Sequence, residues 1–394
     1  MGAVIVAGAR TLMGRLEGAL SSLSAAQLGA RAIRAALERS GVAGDRVDLA
    51  IMGQVLTAGA GQLPARQAAL GGGIGWPTPA LTVSKVCLSG IQSVILADQF
   101  VRSGDAKVVV AGGQESMSSA PHLMRARRAT KFGAITMADH MEVDGLSDPF
   151  TGESMGLLAE RKNDEIGISR RRQDEYAALS HQRAAAAQRE GRFDEEITTV
   201  TVPQRKGPDL VVDRDEGVRP ETTADILAGL SPSFRTDGTI TAGNSSPISD
   251  GAAALVVMDR DLAESEGIAW IAEIVSHGMV AGPKDSTMQL QPANAIMAAC
   301  AKADVQPTAL DLVEINEAFA AVVLSSADHL GLSEEIINVD GGAIAIGHPI
   351  GMSGARLVLH LALELRRRGG GLGAAALCGG TGQGDALLIR VPRD

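Results

Sequence analysis

Apolar and polar positions along the chain fall into blocks that recur. "AIRAALERSGVAGDRVDLAIMGQV" (32–55) reads as an Ala-rich amphipathic helix, a loop and an apolar strand. "AIMAACAKADVQPTALDLVEINEAF" (295–319) repeats that order. A second pair follows. "VSKVCLSGIQSVILADQFVRSGDAKVVVAGG" (83–113) and "NVDGGAIAIGHPIGMSGARLVLHLALELRRRGGGLGAAALCGG" (338–380) each predict a strand, a turn of small residues, an apolar helix and a short strand ending in Gly-Gly. Residues 91–103 are apolar almost all round and stop at Gly104, which predicts a buried helix. The run 355–368 closes with three Arg and then Gly369. Cations there oppose the negative end of the helix dipole, and Gly accepts the left-handed backbone that ends a helix.

Strands alternating with helices predict an α/β fold with a mostly parallel or mixed sheet. Two copies predict two similar halves packed together. We expect an N-terminal half from 1–117 and 245–268, and a C-terminal half from 269–394. Between them, 118–244 reads as an insertion, with a charge-dense helix from Ser169 as N-cap to Gly191.

Composition narrows the picture. Apolar residues make up 45% of the 394, yet only two Trp, one Tyr and six Phe are present, so Ala, Val, Leu, Ile and Met must build the core. The net charge is −10, and the basic runs at 125–128, 170–172 and 366–368 are short. With few aromatics to stack on bases, a nucleic-acid role is disfavoured. An anionic small molecule stays open, because a few local cations or N–H groups hold one. Three cysteines (Cys87, Cys300, Cys378) cannot all pair, which fits a reducing compartment. "MGAVIVAGART" has no basic leader and a short apolar run, so a soluble cytoplasmic protein without membrane attachment is expected.

Four chemistry-bearing residues stand at predicted strand ends, where sites form in α/β proteins. Cys87 opens the buried helix, whose N-terminus favours a thiolate; a buried structural thiol is the plainer reading. His348 lies in "GGAIAIGHPIGMSG", a loop so glycine-rich that another group can approach closely. Asn316 in "EINEAFA" reads either as a helix N-cap or as an amide orienting a water or carbonyl. Cys378 precedes Gly379-Gly380 in "CGGTGQG". That stretch fails as a dinucleotide fingerprint, because a strand follows where the motif needs a helix. Cys300 reads as core packing. The seven His are scattered, and no metal site is expected.

The motifs "VCLSG", "AGGQESMS", "TAGNSSPISDGAAA", "NEAFA", "GGAIAIGHPIGMSGAR" and "CGGTGQG" together resemble the thiolase family over essentially the whole chain. The resemblance implies a duplicated, layered αβαβα fold with an inserted loop domain. It implies that Cys87 is the acylated nucleophile, His348 the base that takes its proton, and Cys378 the second acid/base. Asn316 would hold a water that forms one oxyanion hole with His348. The N–H groups of Cys87 and Gly380 would form the other. Ser246 and Arg219 would contact coenzyme A, with Met155, Phe234 and Phe319 lining the acyl or pantetheine channel. Coenzyme A would be a substrate, with no cofactor bound permanently.

The implied activity is acetyl-CoA C-acetyltransferase. A degradative 3-ketoacyl-CoA thiolase, a ketoacyl carrier-protein synthase and a non-catalytic acyl-CoA carrier are the alternatives. The chain departs from many short-chain members at "ESMG", with Ser154 where they carry His. The stretch 118–150 resembles the biosynthetic type, which implies a homotetramer, a dimer of dimers.

Overall fold

The computed structural model of the protein describes residues 2–124 and 132–393, so the basic run "RARR" at 125–128 lies outside the described residues. Five long strands come from the first part of the chain: β1 (Ala3–Thr11), β2 (Leu49–Gly53), β3 (Ala80–Val83), β4 (Val108–Ser116) and β5 (Ser249–Asp259). Four come from the last part: β6 (Ala272–Ala281), β7 (Leu312–Ile315), β8 (Gly371–Gly379) and β9 (Gln383–Val391). They share one mixed sheet in the order β7-β8-β9-β6-β1-β5-β4-β2-β3. Within it, β2 runs parallel to β3 and β4, as β7 does to β8. The two parts meet where β1 and β6 pair antiparallel, Val4 with Glu273 and Ile5 with Ala272.

The expected strand at the start of 338–380 is a correction. Only a single bridge between Val313 and Ile337 forms there. Asn338 (φ 48°) and Gly341 (φ 78°) turn the backbone away. The Asn338 side chain takes over the pairing instead, accepting from Ile315 N and donating to Ile315 O, each at 2.8 Å.

The principal helices are α1 (Ala25–Ser40), α2 (Ser89–Ser103), α3 (Arg170–Arg189), α4 (Gln291–Lys302), α5 (Ala320–Leu330) and α6 (Ser353–Arg367). Strand alternation sorts the apolar side chains into layers. On β5, Leu255 and Val257 join a central cluster while Ala254 and Val256 face the α1 side. On β9, Leu387 and Ile389 join the same central cluster, and Ala386 and Leu388 face α4. Helices α2 and α6 lie in that central layer, so the stack is α–β–α–β–α. Small side chains make this possible. Buried aliphatic area gives about 25 cal/mol per Å² whatever residue supplies it, and Ala lets helices and sheets approach.

The segment 118–244 packs onto this frame through charged as well as apolar contacts. Ile197 and Thr198 pair with β1, and Phe193 enters the central cluster. Fully buried Arg10 pairs with Glu196 at 2.6 Å and Asp215 at 2.7 Å. Among the described residues, no helix is long and apolar enough to cross a membrane.

Candidate active site

Cys87 follows β3 and stands two residues ahead of α2. The turn that presents it is strained: Val86, a β-branched residue, sits at φ 50°. Gly379 and Gly380 at the end of β8 run against this turn. A Cβ on Gly379 would lie 2.6 Å from Leu88, so only glycine allows the approach. Burial pushes the half-buried Cys87 thiol up to about 11, against the backbone N–H groups of Gly380 and Cys87, which favour the thiolate. Those two donors are the pair expected for one oxyanion hole.

Cys378, next to last in β8, is fully buried. Burial, and then the charge of Cys87, push its thiol far above the ordinary range. Ionising one of the two thiols therefore opposes ionising the other. Cys300 lies with the apolar residues behind the C-terminal strands, as expected for packing.

His348 sits in the turn before α6, and its ring is fixed at both nitrogens. Ser353 Oγ donates to Pro349 O at 2.9 Å, so it accepts from His348 Nδ1–H at 2.6 Å. That leaves the Nε2 lone pair to accept from the Asn316 amide at 3.3 Å. Burial, then the charge of Arg356, pushes His348 down to about 3, so the ring is a neutral base.

Asn316 is not a helix N-cap. The helix begins only at Ala320 with extended Phe319 before it, and Ser246 N and Ala320 N tie this stretch to the 244–246 loop. The amide N–H is engaged by His348, while its buried Oδ1 has no protein partner, the environment that a bound water satisfies.

The other named residues divide into two groups. Met155 packs with Phe319 behind the C-terminal strands, and Phe319 meets Phe234 edge-to-face at 6.2 Å. Gly156 leaves room for that ring, since a Cβ there would be 2.2 Å from Phe234. Ser246 donates to Ala318 O at 3.2 Å beside them. Arg219 is exposed, and its backbone N–H donates to His181 Nδ1 at 3.2 Å. A pocket of about 650 Å³ opens beside Thr381, lined also by Phe150, Leu158, Arg161 and Lys284.

Three supporting residues escaped the sequence reading. Ser353 orients His348, and Glu115 binds the loops on either side of the site. Glu317 accepts from Tyr176 at 2.8 Å, Ser180 at 2.7 Å and Ile344 N at 2.9 Å, pinning α3 to the turn before His348. Each lies inside a motif already singled out, but nothing in spacing marks it. Ser154, the departure noted above, caps the helix Met155–Ile166 by accepting from Leu157 N at 3.2 Å.

Comparison with known proteins matches the model for the thiolase N-terminal domain over residues 3–261 and that for the thiolase C-terminal domain over 268–391. A probable acetyl-CoA acetyltransferase of Mycobacterium tuberculosis is 59% identical over 98% of this chain and 98% of its own length. One from Mycolicibacterium smegmatis is 58% identical over 98% and 100%. The acetyl-CoA acetyltransferase of Cupriavidus necator is 47% identical over 98% of both. With both domain models and relatives of this identity spanning its length, the chain belongs to the thiolase family.

Proposed function

We propose that the protein is an acetyl-CoA C-acetyltransferase, exchanging two acetyl-CoA for acetoacetyl-CoA and CoA. The relatives carry that name over the full chain. The observation that carries the reading is Cys87, its thiol facing the N–H groups of Gly380 and Cys87 beside a second buried thiol.

At neutral pH both Cys87 and His348 are uncharged, so the nucleophile forms as its proton moves to His348 Nε2. The thiolate attacks the acetyl-CoA carbonyl, with Cys87 N–H and Gly380 N–H stabilising the oxyanion. The C–S bond to CoA breaks, and the CoA sulfur takes the Cys378 proton, leaving a Cys378 thiolate and a protonated His348. A second acetyl-CoA then loses an α-proton to Cys378, acting as thiolate. Its carbonyl oxygen gains charge against His348 and the water held by Asn316. The enolate carbon attacks the acetyl carbonyl on Cys87, the C–S bond breaks, and the departing Cys87 thiolate takes its proton back from His348. A thioester exchanged for a thioester costs little, so the same groups run the reverse cleavage.

Coenzyme A acts as substrate, with Ser246 and Arg219 as contacts and Met155, Phe234 and Phe319 along the channel. We read 1–117 with 245–268, 118–244, and 269–394 as the N-terminal half, the inserted loop domain and the C-terminal half of a cytoplasmic homotetramer. Two features support assembly. The sheet ends at β3 with Leu81 and nearby Trp76 exposed, and Phe132, Ile135 and Phe150 are exposed on the inserted segment.

The test offers the protein 3-ketoacyl-CoAs of several lengths without CoA and reads peptide masses. An acetyl group on Cys87 from acetoacetyl-CoA, with longer acyl groups absent, supports the assignment. Longer groups on Cys87 shift it to a degradative thiolase. An unmodified Cys87 with all substrates intact overturns it. Sedimentation as a monomer at working concentration overturns the tetramer.

A further inference from the structure

Glu115, near the end of β4, is fully buried, and no cation pairs with it among the described residues. Its carboxylate instead receives three backbone N–H groups. Val55 N and Gly351 N reach Oε2 at 3.0 Å each, and Leu56 N reaches Oε1 at 3.1 Å. The donors come from two sides of the reaction centre. Val55 and Leu56 form, with Met117 and Ile350, the apolar wall on which Cys87 packs. Gly351 closes the turn that begins at His348.

The turn has a tight seat on its other side. A Cβ on Gly113 would lie 2.1 Å from Gly351 O, and one on Gly53 2.7 Å from it. Contact with β2 and β4 stops the turn moving inward, and the Glu115 bonds stop it moving outward. The ionisable groups that bear on Glu115 and the wall it holds are Asp250 and Cys87, both acids. Burial pushes Glu115 up to about 7.

We propose that Glu115 is a positioning residue for acyl transfer, its one carboxylate fixing the His348 turn relative to the wall that holds Cys87. This rests on the reading of Cys87 as nucleophile and His348 as base. Glu115 touches no reacting atom. It acts because a carboxylate offers acceptors to all three N–H groups, whereas an amide turns a donor toward at least one of them.

Glu115→Gln and Glu115→Asp test this against the parent in acetoacetyl-CoA thiolysis, with iodoacetamide labelling of Cys87 across pH. A displacement of about 1 Å costs on the order of 100-fold in rate. Glu115→Gln is expected to lower kcat by roughly that factor while KM for CoA stays near the parental value. It should also lower the labelling midpoint of Cys87, because an anion that opposes the thiolate is gone. Glu115→Asp keeps the charge and is expected to hold the midpoint and recover part of kcat.

A parental kcat and midpoint in Glu115→Gln overturn the proposal. If that variant does not fold, Glu115→Asp decides alone: reduced kcat at unchanged KM supports the proposal, and a parental kcat overturns it. Failure of the underlying site reading looks different. There the parent itself leaves Cys87 unacylated by acetoacetyl-CoA, and the inference falls with it.

Discussion

His348 and His360 belong to one loop–helix unit, both are buried, and they hold opposite charge states. Burial, then the nearby Arg356 charge, pushes His348 down to about 3. Burial also acts to lower His360. The Glu196 charge, the Asp340 carboxylate 3.5 Å away, the hydrogen bond to Glu196 and the Glu314 charge overcome it and raise His360 to about 10. At neutral pH the first is an imidazole with a usable lone pair, and the second is an imidazolium clamped to Glu196 at 2.9 Å. Burial prevails at His348, whose ring meets only a hydroxyl and an amide, whereas at His360 carboxylates overcome it and keep the cation charged.

The comparison can be broken from the structural side first. His360→Leu removes one member of a buried charge set and is expected to cost about 3–5 kcal/mol of unfolding free energy, with kcat near parental. The pH dependence has a definite sign. A folded pKa raised from 6.5 to about 10 gives stability that is fully present below about 6.5 and lost as pH rises through about 10. The parent should therefore lose unfolding free energy across that window, and the variant should lose less. Equal losses of unfolding free energy in parent and variant, from urea titrations at pH 7 and pH 9.5, would sink the clamp.

The catalytic side should respond in rate. His348→Gln is expected to lower kcat about 10²–10⁴-fold, with an unfolding midpoint close to the parent's because no ion pair is broken. Its stability sign is opposite to that of His360. A depressed folded pKa means that acid favours the unfolded chain as pH falls from 6.5 toward about 3, so the variant should resist acid better.

Asn316→Ala should slow turnover about 10²–10³-fold, or about 2.7–4 kcal/mol of barrier. A rate within about twofold of parent, about 0.4 kcal/mol, removes Asn316 from the site. Ser353→Ala has the smallest expected effect, about tenfold in kcat or roughly 1.4 kcal/mol. It frees the Nδ1–H of a ring whose Nε2 still faces Asn316. Ser353→Thr keeps the hydroxyl and is expected to recover activity, and failure to do so points to packing rather than tautomer.

Much of this was legible along the chain. Gly104 at φ 81° ends α2, Ser169 caps α3 by accepting from Arg172 N, and Gly369 at φ 86° follows α6, all as local pattern predicts. The strand after "CGGTGQG" forms, which removes the dinucleotide reading. The errors arose where a side chain bonded across the chain. Asn316 stayed open between a cap and a site amide for that reason: capping is the local use of Asn, and only the fold brings His348, 32 residues away, against the amide. Asn338 replaces a strand with its own side chain for the same kind of reason.

The sequence by itself determined the repeated helix–strand units and their ends, and it singled out two thiols, an imidazole and an amide as candidates for chemistry. These follow from residue periodicity, caps and motifs, all short-range. Only the tertiary structure decided which histidine is charged, which hydroxyl turns His348, and what carboxylate braces its loop. Those outcomes depend on electrostatic and hydrogen-bond partners remote in sequence, such as Glu196 for His360, 164 residues away, and Glu115 for Gly351, 236 residues away.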